Sequence, residues 1–378
     1  MEKKRITVSV STIGLVLILG VFLSSQPESL ACQPVEPVFL APQEKSSEPK
    51  LAEQVYKNIQ VFQGLPASEL QNTMFYMKAA LNVNCNYCHV NFRDFEKDDN
   101  PKKQAARRMI QMVRALNQNQ FGGKPEISCN TCHRGQAQPT APLAFAAIRE
   151  SRTAAKPADT SAAPNLPTVE QLFERYLHAT GGQAAHEKLK TRRLTGVQLS
   201  SEGATRPFQL IQQMPDRFIQ ILTVDTDWYD TFDGTQGWSR DNHGTRDLTG
   251  KRLAQLRREN ALYQPAALKA QYLNLKVIGV DKIGGRTVYV VEGSVPGLGT
   301  EQLHLDAETG LLLRITSSTK TLFGPLPEEI RLEDYREVDG VKLPFQVSFL
   351  KPDFSELYKF TEVKHNVVVD AQKFERPK

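Results

Sequence analysis

The sequence predicts a multidomain chain in which a mainly α domain is followed by an α+β domain built on a curved antiparallel sheet. Three observations carry this reading. Apolar residues recur at helical spacing before residue 140, short alternating runs separated by turn residues recur after residue 182, and the stretch between is too poor in apolar residues to fold. The length agrees, because 378 residues exceed the ~100–200 usual for one domain.

In the first domain, Leu51–Phe62 reads as a helix stopped by Gly64, and Pro66 with Ser68 and Glu69 opens a second. Leu70, Met74, Met77 and Leu81 share one face of that second helix. A third is expected from about Lys103 to Asn117, with Met109, Met112, Val113 and Leu116 on one face. Residues 141–167 are dominated by Ala, Pro, Ser and Thr and form a linker. After it, a helix over Val169–Ala179 is ended by Gly181 and Gly182, and strands follow. Leu303 and Leu305 alternate, as do Leu311, Leu313 and Ile315, across a turn at Asp306–Gly310. Further turns are expected at Asp233-Gly234, Gly284-Gly285 and Asp339-Gly340. Repeated hairpins of this kind build an antiparallel sheet with a few helices packed on it.

The N-terminus reads as an export segment. Lys3, Lys4 and Arg5 precede the uncharged apolar run Ile13–Leu23, so residues 1–31 form a signal peptide or an uncleaved anchor. Extended back to Ile6 the run has 18 residues, close to the ~20 that cross a bilayer. Cleavage after Ala31 would instead leave Cys32 as the first mature residue, open to lipidation. Residues 32–50 are rich in Pro, Glu and Ser and read as a tether. Either route places the chain on the periplasmic side of a bacterial membrane.

Charge excludes one class of partner. The formal charge of +5, from 47 basic and 42 acidic residues, is too small to argue for nucleic-acid binding. Between residues 51 and 140 there are 11 basic and 7 acidic residues, a surplus that a solvated face accounts for.

The five cysteines carry the chemistry. Cys85, Cys88 and His89 form one C-x-x-C-H motif, and Cys129, Cys132 and His133 form another; Cys32 stands alone. Two such motifs in an exported chain point to two covalently attached haem c groups, bounding residues 51–140 as a dihaem domain. The thiols add across the haem vinyl groups, and the adjacent His supplies an axial nitrogen to the iron. Four thiolates could instead bind zinc, but that site needs no His after each pair. A thioredoxin-type redox pair needs a βαβ context, and structural disulfides leave the paired histidines unexplained. A haem that only transfers electrons is closed by Met or His on its other side. Four of the six methionines, Met74, Met77, Met109 and Met112, lie in the two helices that precede the motifs.

These residues resemble the cytochrome subunit of bacterial photosynthetic reaction centres, a tetrahaem family, over about Asn58–Pro139. The most specific stretches are Ala106-Arg107-Arg108-Met109 with Asn117, and Cys129–Gly135. The resemblance implies that Met74 ligates the haem on Cys85 and Cys88, and Met109 the haem on Cys129 and Cys132. Arg107 and Arg108 would then hydrogen-bond haem propionates. Two motifs stand here in place of four, and Phe121 stands where the family carries a His ligand for a more distant haem. The chain is thus similar to one half of that subunit.

Residues 168–378 resemble, more loosely, the curved-sheet fold of periplasmic lipoprotein carriers. The marks are Phe232-Asp233-Gly234 before Gly237-Trp238, the turn within Leu303–Leu313, and the ending Val363–Phe374. That resemblance implies an apolar ligand or a protein-docking role; His178, His186, His243, His304 and His365 show no ligand spacing. The leading expectation is a non-enzymatic electron carrier with a redox protein donor and acceptor. The alternatives are a dihaem enzyme with one open iron, of the peroxidase kind, and a lipid-binding module with accessory haems.

Overall fold

The computed structural model describes residues 49–139, 166–352 and 354–377. The expected export segment, Cys32, the expected tether as far as residue 48 and the expected linker as far as residue 165 lie outside the described residues. Among those described, no helix is long and apolar enough to cross a membrane.

Among the described residues, four α-helices precede the linker: α1 (Ala52–Val55), α2 (Ala67–Leu81), α3 (Pro101–Phe121) and α4 (Cys129–His133). The expected helix over Leu51–Phe62 is cut to its first turn. Asn58 takes a left-handed backbone, and the carbonyls of Asn58 and Val61 accept from Arg107 and Arg114 of α3 at 3.4 and 2.5 Å. Side chains thus take up carbonyls that a helix would have used, while Val61, Phe62 and Leu65 are buried as loop residues. α3 starts two residues earlier than expected. Asn100 caps it by accepting from Lys102 N at 3.0 Å, and Pro101 fills the first helical position.

α2 sets Leu70, Met74 and Met77 against a small core containing Val61, Phe62, Ile110 and Val113. On α3 the face packed against protein is Arg107, Ile110, Val113 and Asn117. Met109, Met112 and Leu116, expected beside Val113 on one apolar face, are 46%, 45% and 40% exposed. The apolar residues of α3 therefore divide into a packed row and an uncovered row.

After the linker come α5 (Val169–Ala179), α6 (Gln183–Glu187) and thirteen strands. Strands β1 (Thr191–Ser200), β2 (Thr205–Gln213), β3 (Arg217–Thr223), β4 (Asp227–Phe232), β5 (Gly237–Asp241) and β6 (Gly244–Leu248) run as a meander. Helices α7 (Gly250–Ala261) and α8 (Pro265–Leu268) then lead to the other edge of the sheet. There β7 (Leu273–Ile283), β8 (Arg286–Val295), β9 (Gly299–Asp306) and β10 (Leu312–Thr321) begin the return meander. β11 (Gly324–Val338), β12 (Val341–Lys351) and β13 (Phe354–His365) complete it, and β13 pairs with β1 from Arg192↔His365 to Ser200↔Glu356. The order is β6-β5-β4-β3-β2-β1-β13-β12-β11-β10-β9-β8-β7, antiparallel throughout.

The sheet curls. A single cavity of about 690 Å³ touches Ser239 of β5 and Ile315 of β10. Those strands are eight spacings apart, roughly 38 Å in a flat sheet at ~4.8 Å per strand, far wider than such a cavity. Leu172, Phe173 and Tyr176 of α5, Leu256 of α7 and Leu268 of α8 fill the core on one face. The four expected turns all connect adjacent strands. One expected alternation is displaced: Leu312 and Ile315 are buried, whereas Leu311 and Leu313 are not. A bulge between Leu312 and Arg314 inserts one residue into β10, and the inward face shifts with it.

The β10–β11 turn reaches the helices. Phe323, at its tip, is 2% exposed and belongs to the same small core as Leu70 and Ile110, with Tyr76 of α2 at 6.1 Å between ring centroids.

Candidate haem-attachment site

The first motif sits where α2 ends. Asn82 takes a left-handed backbone, the chain turns, and Cys85–Tyr87 forms one tight 3-10 turn that holds Cys88 and His89 close to Cys85. Asn100 ties this turn to α3, donating to the Tyr87 carbonyl at 3.0 Å while it caps the helix. The second motif is itself the helix α4. It is positioned by Asn117, whose side chain accepts from Ile127 N at 2.9 Å and donates to Ile127 O at 2.7 Å. Gly135 N donates to the Ala80 carbonyl at 2.9 Å, which fixes the end of α4 on α2.

All four thiols are free. Burial pushes Cys88 up, and it pushes Cys129 up to about 11, so these two side chains are neutral thiols at pH 7. Among the described residues no three His, Cys, Asp or Glu side chains gather as a metal-binding cluster, so the two cysteine pairs do not converge on one zinc site.

The two histidines are held alike. His89 Nδ1 lies 3.1 Å from the Phe95 carbonyl and His133 Nδ1 lies 3.0 Å from the Gln136 carbonyl. A carbonyl can only accept, so each ring bears a proton on Nδ1, which leaves Nε2 as the nitrogen that would face a metal. Burial lowers the His89 pKa most, and Lys103 and Arg107 add to it against the pull of the Phe95 carbonyl. The His89 ring is therefore neutral at pH 7, as a ligand must be.

The methionines differ in setting. Met74 and Met77 pack against the small core, as does Cys129 of the second motif. Met109 and Met112 belong to the uncovered row of α3, and their near-equal exposure does not choose between them. Val90, Phe92 and Phe95 add further apolar surface beside the first motif that polypeptide leaves uncovered. Arg107 has protein partners. It is 7% exposed, binds Asp98 at 2.8 Å and, with Lys103 on the same carboxylate at 2.9 Å, holds Asp98 well below the usual carboxylate range. Arg108 is exposed.

Asn100 and Asp98 are site residues that the sequence reading missed. The Asn-Pro pair at 100–101 carried the signal, as an N-cap followed by proline at the first helical position. Nothing local marked Asp98.

Paired thiols, a histidine after each pair with its second nitrogen free, and apolar surface nearby suit a covalently held macrocycle. That donor set is the one a c-type cytochrome uses. Residues 19–188 match the family model of the photosynthetic reaction centre cytochrome C subunit. Over 122 residues the chain is 34% identical to the photosynthetic reaction center cytochrome c subunit of Thermochromatium tepidum, covering 31% of this chain and 30% of that one. It is 37% identical over 82 residues to cytochrome c-554 of Chloroflexus aurantiacus, covering 20% of each. The chain spans less than a third of the length of these curated relatives. Residues 19–188 are thus similar to that family, and the similarity covers less than half of the chain. Among solved structures, a DUF1329 family protein from Desulfovibrio piger aligns with a TM-score of 0.42 at 13% identity, covering 55% of this chain and 97% of that one. A LolA superfamily protein from Nitrosomonas europaea aligns with a TM-score of 0.40 at 12% identity, covering 56% and 99%.

Proposed function

We propose that this chain is a periplasm-facing dihaem c-type cytochrome that passes electrons one at a time between protein partners, held at the membrane by its N-terminal helix or by a lipid on Cys32. The observation that carries the reading is the shared anchoring of His89 and His133 through Nδ1, which readies two Nε2 atoms in two separate motifs. Each haem would be attached through one thiol pair, Cys85 and Cys88 or Cys129 and Cys132. When bound, the haem supplies reversible one-electron chemistry.

The residues of this chain do the rest. Asn100 and Asn117 keep the motifs in register with α3, and the Asp98–Arg107 pair clamps the loop between them. In this reading Met74 and Met109 would supply the second protein ligand to each iron, which would favour electron transfer over a peroxidase-like enzyme. A redox titration followed by optical absorption tests the proposal. Two one-electron steps, with no spectral shift on adding carbon monoxide to the reduced native protein, are expected. A single step, or a strong carbon monoxide shift, would favour one haem or an open iron.

A further inference from the structure

The cavity of about 690 Å³ on the sheet falls within the ~300–1,000 Å³ of small-molecule sites. Its lining combines two features that together suit an aromatic ring bearing hydroxyls. One is a set of aromatic rings. Phe208 and Tyr358 meet edge to face at 4.7 Å between centroids, and Phe349 meets Tyr358 at 5.6 Å.

The other is a pair of carboxylates, Glu259 of α7 and Glu356 of β13. Other acidic residues of the lining are paired, as in Asp230–Arg252 and Asp241–Arg246, both at 2.6 Å. Glu259 and Glu356 make no direct ion pair among the described residues, although the charge of Arg252 acts on both. Glu356 accepts from Gln198 at 2.5 Å and from the Tyr358 hydroxyl at 3.2 Å, and Glu259 accepts from Gln255 at 2.8 Å. Burial, with the charge of Glu259 adding to it, raises the pKa of Glu356.

Arg258 lines the same cavity and is 6% exposed. Its Nη2 binds Glu301 at 2.9 Å, while Nε and Nη1 have no hydrogen-bond partner. A hydrocarbon tail here would leave these polar groups desolvated and unmatched. The complementary molecule has a flat apolar ring and hydroxyl donors for the carboxylates. The cavity also borders the cytochrome region, since Phe75 and Lys78 of α2 are part of its lining and Met74 adjoins Phe75.

We infer that this cavity binds a small hydroxyaromatic molecule of the hydroquinone class, its ring against Phe208, Phe349 and Tyr358 and its hydroxyls on Glu259 and Glu356. Oxidation of one hydroquinone breaks two O–H bonds and releases two protons and two electrons, leaving the quinone. Glu259 and Glu356 receive the protons, and two ferric haems, each taking one electron, are the oxidant. This last clause rests on the dihaem reading; the binding does not.

The test is equilibrium dialysis of the fully reduced, haem-loaded full-length protein against a short-chain hydroquinone without oxygen. No electrons move between two reduced partners, so the result reports binding alone, while haem number is read separately by mass. One saturable site per chain is expected. Affinity should fall tenfold or more in the Glu259→Gln/Glu356→Gln double variant, and severalfold in Glu259→Gln alone should the double variant fail to fold. Absence of saturable binding, binding unchanged in Glu259→Gln, or displacement of the hydroquinone by a fatty acid of higher affinity would each overturn the inference.

Discussion

Met109 and Met112 stand three residues apart on α3 and are equally exposed, so neither angle nor burial selects the ligand to the second iron. The family motif selects Met109. Met109→Leu is expected to open one haem of two to carbon monoxide, to remove the Met-to-iron charge-transfer band of that centre and to lower its potential. Met112→Leu should leave both haem spectra as they are. Absorption spectra of the reduced and oxidised variants check both, and the reverse pattern would assign Met112. At this scale the two cysteine–histidine motifs were legible from their spacing alone. Arg107 was legible only as part of a motif. Its partner Asp98 lies nine residues earlier in a loop, and a long-range ion pair leaves no local pattern.

Elements were legible where local chemistry decides them. α5 has the bounds expected from its periodicity, with Thr168 and Gln171 forming a capping box and Gly181 and Gly182 after its end. The Leu51–Phe62 helix failed because tertiary partners, the arginines of α3, took its carbonyls. The alternation in β10 was misread because a bulge is a pairing event between strands, invisible in one strand alone. The β10–β11 turn gave no sign that its Phe323 would be buried among helices more than 200 residues earlier in the chain. Its removal has a defined expected cost. Phe323→Ala should destabilise the α2–α3 core by about 3–5 kcal/mol, the usual range for a buried phenylalanine. Hydrogen exchange should show α2 and α3 losing protection while β1 and β13 keep theirs. Equal loss in both would mean that the two regions unfold together.

For the whole molecule, the hairpin turns and alternating runs foretold an antiparallel sheet, and the sheet is there with thirteen strands. Its order was not legible. The pairing of β1 with β13 joins residues more than 150 positions apart, and only the closing of a common core specifies it. Whether each of the two motifs carries a haem is read most directly from the mass of the chain. Denaturing mass spectrometry of protein matured in a periplasm should show a mass about two haem groups above that of the processed polypeptide, retained after reduction. A mass at the bare polypeptide with zinc in the native protein, or a gain of one haem only, would contradict it.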